Sequence, residues 1–385
     1  TTMDNVDVYI SKGRITKITP HGSEPAVGEL IDHSMDTMIP GIMAGHTHQT
    51  ELLGEKLGRN WLSYGITSVR DPGSNPYKSL MRKETWESGI QKGPRIFYAG
   101  WLTGGARIYY GQSYSAINEK ALRHEITRAK ELDYDMVKSY VRLPDEFQQI
   151  LIKEAHAMGI PLSSHEIAPA VQNAMDSVEH MGATSRRGYS PKFSYLSNSY
   201  ADVTEIIAKS GLFITPTATL ETGYFNYMLE HPEYLSDVKY RVFLDELQRD
   251  SLRRSAQSDY VANEIRLNSN MLGTIKQMHD KGANFTAGTD SPFIPYGMAQ
   301  HFEMIMFVDA GLSEADAIRA ATIKVAENIG VEKDLGTLEV GKIADMAILE
   351  DNPLDDIRAI REVKATIRGG HYYTGFELTT DRSPR

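Results

Sequence analysis

Eight short apolar segments, separated for the most part by helical stretches, dominate the middle of this sequence. They end at residues 45–48, 67–71, 97–100, 137–140, 163–165, 178–180, 214–217 and 287–290. Strands that alternate with helices form parallel sheets, and eight such units close into a (β/α)₈ (TIM) barrel of the α/β class. One connection is far longer than the others, the 66 residues from 218 to 283. Because so long a connection is usually functional, we predict a helical insert that serves as a lid or a dimerisation element.

Both chain ends carry short runs in which apolar and polar residues alternate, a pattern typical of half-buried strands. The runs cover residues 6–10, 15–18, 343–349 and 363–367. Each run is too short to bury a core of its own. We therefore predict one small β-sandwich domain built from residues 1–39 and 335–385. The barrel would occupy residues 40–334.

Charge and cysteine content exclude several classes of protein. Lys and Arg number 41 against 51 Asp and Glu, a net charge of −10 that disfavours nucleic acids and anionic membranes as partners. No apolar run approaches the ~18 residues of a membrane span. The sequence contains no cysteine, which excludes disulfides, thiolate metal sites and thiol nucleophiles. A chain without cysteine favours an exported, periplasmic location over the cytoplasm, and residues 1–4 resemble neither a start nor a signal peptide.

Histidines and one aspartate follow the candidate strands. His46 and His48 are two residues apart, so that both rings lie on one face of a strand. His165, His180 and Asp290 end the fifth, sixth and eighth strands. Each alone would equally suit an ordinary strand end, but active sites of this barrel gather at the carboxyl ends of its strands. Four imidazoles and a carboxylate at that end predict a divalent metal site, with zinc as the first choice.

Lys138 ends the fourth strand within the apolar segment 134–140. An apolar setting lowers the pKa of a lysine, and a neutral amine reacts with CO₂ to give a carbamate. Such a carbamate can bridge two metal ions ~3.5–4 Å apart, the spacing of two-metal hydrolases. The alternative is a lysine that pairs with Asp290 or extends toward solvent.

Several motifs resemble the amidohydrolase superfamily over essentially the whole chain. They are IPG at 39–41 with His46-Thr47-His48, GITSVRD at 65–71, the Lys138 strand, Ser164-His165, VEHMG at 178–182, GTDSP at 288–292 and LGTLEVGKIAD at 335–345. Within the superfamily the chain is most similar to the binuclear Xaa-Pro and Xaa-Arg/Lys dipeptidases and the imidazolonepropionase-like hydrolases. Residues 182–190 resemble amidohydrolase domains that follow a TolB-like β-propeller, so an upstream propeller domain is also expected.

The resemblance implies a binuclear centre in which His46, His48 and Asp290 bind one metal ion, and His165 and His180 bind the other. Carbamylated Lys138 would bridge the two ions. A metal-bridging hydroxide would attack the substrate carbonyl, while Asp290 takes up the proton and returns it to the leaving amine. We expect a dipeptidase-like hydrolase that cleaves a C–N amide bond of a small dipeptide-like or N-acyl amino acid substrate. A homo-oligomer is compatible with this assignment.

Four further residues are candidates for substrate binding. Tyr140 is two residues from Lys138 and would either donate a hydrogen bond to the oxyanion or pack at the barrel rim. Arg186, Arg187 and Tyr189 follow the sixth strand, where guanidinium groups could grip a substrate carboxylate. The alternative for these three residues is a solvated basic loop.

Three alternative functions differ in what they require of the site. A lactonase or organophosphate hydrolase would use the same six ligands. A metal-free scaffold or propeller-associated domain would need none of them. A mononuclear deaminase needs a glutamate one turn beyond the fifth-strand histidine, whereas Glu166 directly follows His165 and the residue three positions on is Ala168.

Overall fold

The computed structural model describes residues 2–51, 53–106, 110–168, 170–182, 192, 194, 196–258, 262 and 267–380. Its strands are β1 (Val6–Ser11), β2 (Arg14–Pro20), β3 (Thr37–Pro40), β4 (Ile42–Ala44), β5 (Ile66–Asp71), β6 (Arg95–Tyr98), β7 (Leu102–Gly104), β8 (Ser113–Ser115), β9 (Val137–Ser139), β10 (Leu162–Ser164), β11 (Ser177–Glu179), β12 (Phe213–Thr215), β13 (Asn284–Phe285), β14 (Met346–Leu349), β15 (Val363–Arg368) and β16 (His371–Thr374).

The α-helices are α1 (Lys56–Ser63), α2 (Pro76–Glu87), α3 (Glu119–Glu131), α4 (Asp145–Ala157), α5 (Ala201–Ser210), α6 (Tyr224–Glu230), α7 (Val238–Phe243), α8 (Glu246–Ala256), α9 (Asn268–Asp280), α10 (Met298–Asp309), α11 (Glu314–Ala320), α12 (Ile323–Ile329) and α13 (Gly375–Thr379). Among the residues that the structure describes, no helix is both long and apolar enough to cross a membrane.

The centre of the molecule is a parallel α/β barrel, which confirms the predicted fold class. Strands β4, β5 and β6 pair in order, as do β9 through β13. The two sheets meet where the Gly45 amide donates to the Ala287 carbonyl at 2.7 Å, and where the Asp135 amide donates to the Tyr98 carbonyl at 3.1 Å. Strands β4, β5, β9, β10 and β11 are buried on both faces, as expected for a parallel sheet that closes on itself and is covered by helices.

Two strands of this region have no counterpart in the sequence prediction. Strand β7 pairs with β9 on one side and with β8 on the other. Each has only three residues, and β7 ends at Gly104, so neither carries an apolar pattern long enough to signal a strand.

Small antiparallel sheets are formed from both chain ends. Strands β1 and β2 make a hairpin, and β3 joins the C-terminal strands in the order β16-β15-β14-β3. The side chains of Ile15, Ala344, Met346 and Ile367 pack together in one buried cluster between the hairpin and that sheet. The domain boundaries at residues 39 and 335 stay predictions.

The connection between β12 and β13 contains the helices α6 to α9. Helix α7 packs against α1 and α13 on the outside of the barrel. The Lys239 ammonium of α7 donates to the Arg361 carbonyl at 3.3 Å and lies 4.8 Å from the centre of the Tyr64 ring. A role as lid or dimerisation element stays a prediction.

Candidate metal centre

The candidate ligands gather at the carboxyl ends of the barrel strands. His46 and His48 follow β4, Lys138 lies in β9, and His165, His180 and Asp290 follow β10, β11 and β13. Ring centres are 5.3 Å apart for His46 and His48, 4.5 Å for His46 and His180, and 4.8 Å for His165 and His180. All six side chains therefore surround one region of the barrel mouth.

Asp290 lies at the centre of this group. Its Oδ1 atom is 3.1 Å from His48 Nε2 and 3.4 Å from His46 Nε2, and its Oδ2 atom is 3.8 Å from His180 Nε2. Burial alone would raise the pKa of the carboxyl group, but His180, His46 and His48 hold it well below its usual range. Asp290 is therefore an ionised carboxylate that lies within 4 Å of three imidazoles.

The second ring nitrogen of three histidines is held by a neighbouring side chain. His46 Nδ1 is 2.7 Å from Glu179 Oε2, His48 Nδ1 is 3.4 Å from Asp71 Oδ1, and His180 Nδ1 is 2.8 Å from Thr217 Oγ1. Partners of this kind fix the tautomer and the orientation of a metal-binding imidazole. All three Nε2 atoms face Asp290 as a result.

Several buried polar atoms of the site have no hydrogen-bond partner among the described residues. They are His46 Nε2, His165 Nδ1 and Asp290 Oδ1. Leaving such atoms unpaired costs about 1–3 kcal/mol each, a cost that a bound ion would remove. Potential ligand atoms of His46, His180 and Asp290 all lie within 4.8 Å of one another. These residues fit a divalent cation.

Electrostatics favour neutral imidazoles at two of the four histidines. Burial, together with neighbouring Lys138, lowers the pKa of His165 and His180 well below the usual value. Metal ions bind the neutral ring, so this shift suits ligands. His48 differs, since burial opposes its charge but Asp290 and Asp71 raise its pKa to about 10. Without a bound cation, a proton on His48 offsets the negative charge of Asp290 and Asp71. A bound cation would offset that charge instead.

Lys138 is fully buried within β9. Burial lowers the pKa of its ammonium to about 8, the direction expected from the sequence. Its Nζ atom lies 3.9 Å from Glu179 Oε1, so the ion pair that the structure shows is with Glu179 and not with Asp290. Carbamylation of Lys138 stays a prediction.

A comparison with known families decides the assignment. The amidohydrolase family model matches residues 37–372, which is most of the chain and includes every candidate ligand. The chain belongs to the amidohydrolase family. As a member of it, the protein is a hydrolase that acts on carbon–nitrogen bonds, and the family is generally metal-dependent.

Individual relatives of this amidohydrolase are distant. A 5-methylthioadenosine/S-adenosylhomocysteine deaminase from Thermoanaerobacter pseudethanolicus is 23% identical over 379 residues, covering 91% of this chain and 82% of the relative. The crystal structure of a Xaa-Pro dipeptidase with bound methionine has a TM-score of 0.71 at 20% identity, covering 96% and 95% of the two chains. A bottromycin amidohydrolase has a TM-score of 0.75 at 18% identity, covering 97% and 83%. The two structural likenesses show a shared fold.

Sequence reasoning missed the residues behind the ligands of this amidohydrolase. Glu179 and Arg70 are fully buried and lie 2.8 Å apart (Oε1 to Nη2), and the Arg70 guanidinium also donates to the Gly45 carbonyl at 2.9 Å. Asp71 accepts hydrogen bonds from the Gly73 amide and the Ser74 hydroxyl. The sequence did carry a signal for these residues, namely charged side chains inside otherwise apolar strands. Charged side chains are rarely buried without a partner, so each of them indicates a buried ion pair or hydrogen-bond network.

The structure places one predicted substrate residue, Tyr140, beside the candidate metal centre. Tyr140 is buried, and its ring centre is 4.9 Å from that of His165 in an edge-on arrangement. A second tyrosine, Tyr110, is partly exposed and lies 6.2 Å from the Tyr140 ring. Arg186, Arg187 and Tyr189 lie outside the described residues, so their role in binding stays a prediction.

Proposed function

We propose that this amidohydrolase cleaves the C–N amide bond of a small dipeptide-like or N-acyl amino acid substrate at a binuclear metal centre. The observation that carries the proposal is the buried group of His46, His180 and Asp290, whose inward-facing ligand atoms include two without hydrogen-bond partners. Fully buried Lys138 lies beside it. Histidine nitrogen and carboxylate oxygen in a site without thiolates favour zinc.

The six side chains would divide between two cations. His46, His48 and Asp290 would hold one, and His165 and His180 would hold the other, with carbamylated Lys138 contributing to both. Two bound divalent cations would lower the pKa of water and polarise the substrate carbonyl. The open side of the barrel mouth is left for the substrate.

Asp290 is the proton carrier in this proposal. Its carboxylate accepts a proton from the attacking water as the new C–O bond forms, and passes that proton to the nitrogen as the C–N bond breaks. An amide nitrogen is a poor leaving group without a proton, so this second transfer is what amide cleavage requires. Tyr140, which packs against His165, would donate a hydrogen bond to the developing oxyanion.

Deamination is less well supported by the site, although one distant relative is a deaminase. A mononuclear deaminase would need a glutamate one turn beyond His165, where this chain has Ala168, and the glutamate nearest in sequence is Glu166. Its Oε2 atom accepts a hydrogen bond at 3.1 Å from Gln148, which lies on the outer helix α4. This hydrogen bond ties the Glu166 carboxylate to an outer helix of the barrel.

A substrate panel tests the proposal. Zinc-loaded protein would be assayed with dipeptides, N-acyl amino acids, lactones, phosphotriesters and an aminopurine nucleoside, with Asp290→Asn protein as the control for contaminating activity. We expect an amide to give the highest kcat/KM. The amide assignment would be abandoned if the best lactone or phosphotriester exceeded every amide by more than ~10³-fold, about 4 kcal/mol in transition-state binding. Release of ammonia from the nucleoside alone would instead support a deaminase.

Carboxylate recognition by the segment after β11 has a separate test. Arg187→Ala should raise KM for carboxylate-bearing substrates and leave neutral amides nearly unchanged, because guanidinium binds carboxylates in a bidentate manner. Equal effects on both kinds of substrate would assign Arg187 to the solvated surface. Zinc content below one equivalent in chelator-free wild-type protein would favour the metal-free scaffold.

A further inference from the structure

Glu179 is a buried carboxylate for which the proposed reaction has no direct use. Its Oε2 atom is 2.7 Å from His46 Nδ1, and its Oε1 atom is 2.8 Å from the Arg70 guanidinium and 3.9 Å from Lys138 Nζ. The side chain has no solvent exposure. One carboxylate therefore contacts a candidate ligand of the first metal ion, His46, and the lysine that is predicted to bridge the two ions.

Arg70 fixes the position of Glu179 through a buried ion pair. The guanidinium of Arg70 donates to the Gly45 carbonyl at 2.9 Å and to the Ser177 hydroxyl at 3.1 Å, and it is itself buried. Burying an ion pair in a barrel core costs several kcal/mol in desolvation, and apolar side chains of similar volume would often be as stable. A role beyond stability is the simplest reason for such a pair beneath a metal centre.

The geometry at His46 shows what that role is. An ionised carboxylate only accepts hydrogen bonds, so His46 must carry its proton on Nδ1, the atom that faces Glu179. In the neutral ring, which is the form that binds a metal ion, the lone pair is then on Nε2. That atom faces Asp290 at 3.4 Å and has no hydrogen-bond partner among the described residues. Rotation of the imidazole about its bond to Cβ would break the contact with Glu179.

We propose that Glu179 is the positioning residue of the metal centre, fixing the tautomer and orientation of His46 while holding Lys138 beside it. The proposal rests on the metal site proposed above, and it adds that a ligand of the first ion and the bridging lysine both depend on one buried carboxylate that is not itself a ligand. Partners of this kind typically change metal affinity by about 10–100-fold when they are removed.

The test is metal binding by Glu179→Gln protein, measured by competition with a chromophoric zinc chelator. The matched control is Glu125→Gln, because Glu125 is also a buried glutamate paired with an arginine, Arg128, on helix α3. We expect Glu179→Gln to weaken zinc binding at least ~10-fold. Glu125→Gln should stay within twofold of wild type.

A second readout does not involve metal. Histidine ¹⁵N NMR of zinc-free protein should show His46 as the Nδ1–H tautomer in wild type and in Glu125→Gln, and as a tautomer mixture in Glu179→Gln. The His46 signal is assigned by its loss in His46→Ala. A purely structural role for Glu179 would lower the melting temperature without changing this spectrum.

Glu179→Asp covers the case in which Glu179→Gln does not fold. It keeps the charge opposite Arg70 but withdraws the carboxylate from His46 by one methylene, so we expect intermediate zinc affinity. Wild-type zinc affinity and an unchanged ¹⁵N spectrum in a folded Glu179 variant would overturn the proposal. Failure of wild-type protein to hydrolyse any amide would refute the proposed function while leaving these binding results intact.

Discussion

Asp290 offers two oxygens to three imidazoles, and its proposed roles as ligand and proton carrier can be separated. Asparagine has almost the same shape and keeps one oxygen, but it cannot accept the proton from water. We expect Asp290→Asn to lower kcat by at least ~10²-fold, the lower end for loss of a general acid–base. Zinc content should fall by a smaller factor. Both would be measured on the same preparation, and near wild-type turnover would refute the proton-carrier assignment.

Burial of Lys138 makes a prediction about pH. Because its pKa is lowered to about 8, the neutral amine appears as the pH rises through 8. An exposed lysine, with a pKa near ~10.4, is less than ~1% neutral at that pH. In zinc-free protein, ¹³C NMR with labelled bicarbonate should therefore show a carbamate signal that is weak at pH 6 and grows between pH 7 and 9.

Lys138→Ala is the control for this experiment. It should lose the carbamate signal and one of the two expected zinc equivalents, and short carboxylic acids should restore part of its activity by replacing the bridging group. A carbamate signal that appears only near pH 10, or one that survives in Lys138→Ala, would contradict the assignment to Lys138.

Residue types and their positions at strand ends predicted one set of candidate ligands, and the fold places all of them at the carboxyl end of the barrel: His46, His48, Lys138, His165, His180 and Asp290. Their role as ligands stays a prediction. The residues behind them were not foreseen, and backbone geometry explains why. In a regular strand, neighbours such as Glu179 and His180 point to opposite faces. His180 instead has φ of 60° and Asp290 has φ of 57°, left-handed conformations that redirect both side chains at the strand ends. No sequence pattern announces such a turn at a non-glycine residue.

At the scale of elements, the site depends on the close approach of the first and last barrel strands. A Cβ atom on Gly288 would lie 2.4 Å from the His46 backbone nitrogen and 2.7 Å from His46 Cβ. Gly288→Ala should therefore displace His46 and weaken zinc binding, and overpacking should cost ~1–3 kcal/mol of the free energy of unfolding. Zinc competition and urea unfolding would measure the two effects.

Gly273→Ala is the matched control, since a Cβ there meets nothing within 4 Å in the middle of helix α9. Alanine in a helix should be neutral or stabilise the protein by ~0.5–1 kcal/mol. Equal zinc affinity in the two alanine variants would show that the approach of Gly288 to His46 has no part in shaping the site.

Elements were predictable wherever an apolar run met a clear boundary. The eight barrel strands have such runs, whereas β7 and β8 depend on pairing with β9 and with each other. The last barrel strand is a limiting case, because β13 spans only Asn284–Phe285, and Asp290 is placed by the segment that follows it. The position of that segment is fixed by contacts such as the hydrogen bond from the Gly45 amide to the Ala287 carbonyl. Such contacts connect residues far apart in sequence, so a local sequence pattern does not reveal them.

At the scale of the whole molecule, Asp345 is one of the residues that join the barrel to the terminal sheet. Its carboxylate contacts the Arg95 guanidinium at 2.6 Å, at the start of β6, and accepts a hydrogen bond from the Gly369 amide at 2.6 Å, between β15 and β16. Arg95 lies at the amino end of its strand, so this link is at the opposite end of the barrel from the candidate metal centre. It should affect stability without affecting the site.

Asp345→Asn should cost ~1–3 kcal/mol of the free energy of unfolding, because a largely buried guanidinium loses its charged partner. The control is Asp334→Asn, which removes a similar 2.7 Å contact to Arg14 between side chains that are about half exposed. An exposed pair is worth only ~0–1 kcal/mol.

Urea unfolding of both variants would be followed by circular dichroism and by tryptophan fluorescence. Fluorescence reports on the barrel region because Trp61, Trp86 and Trp101 all lie there. If the terminal sheet and the barrel unfold as one unit, both signals shift together in Asp345→Asn while zinc affinity stays at the wild-type value. Equal losses in the two variants would mean that Asp345 does not couple the sheet to the barrel.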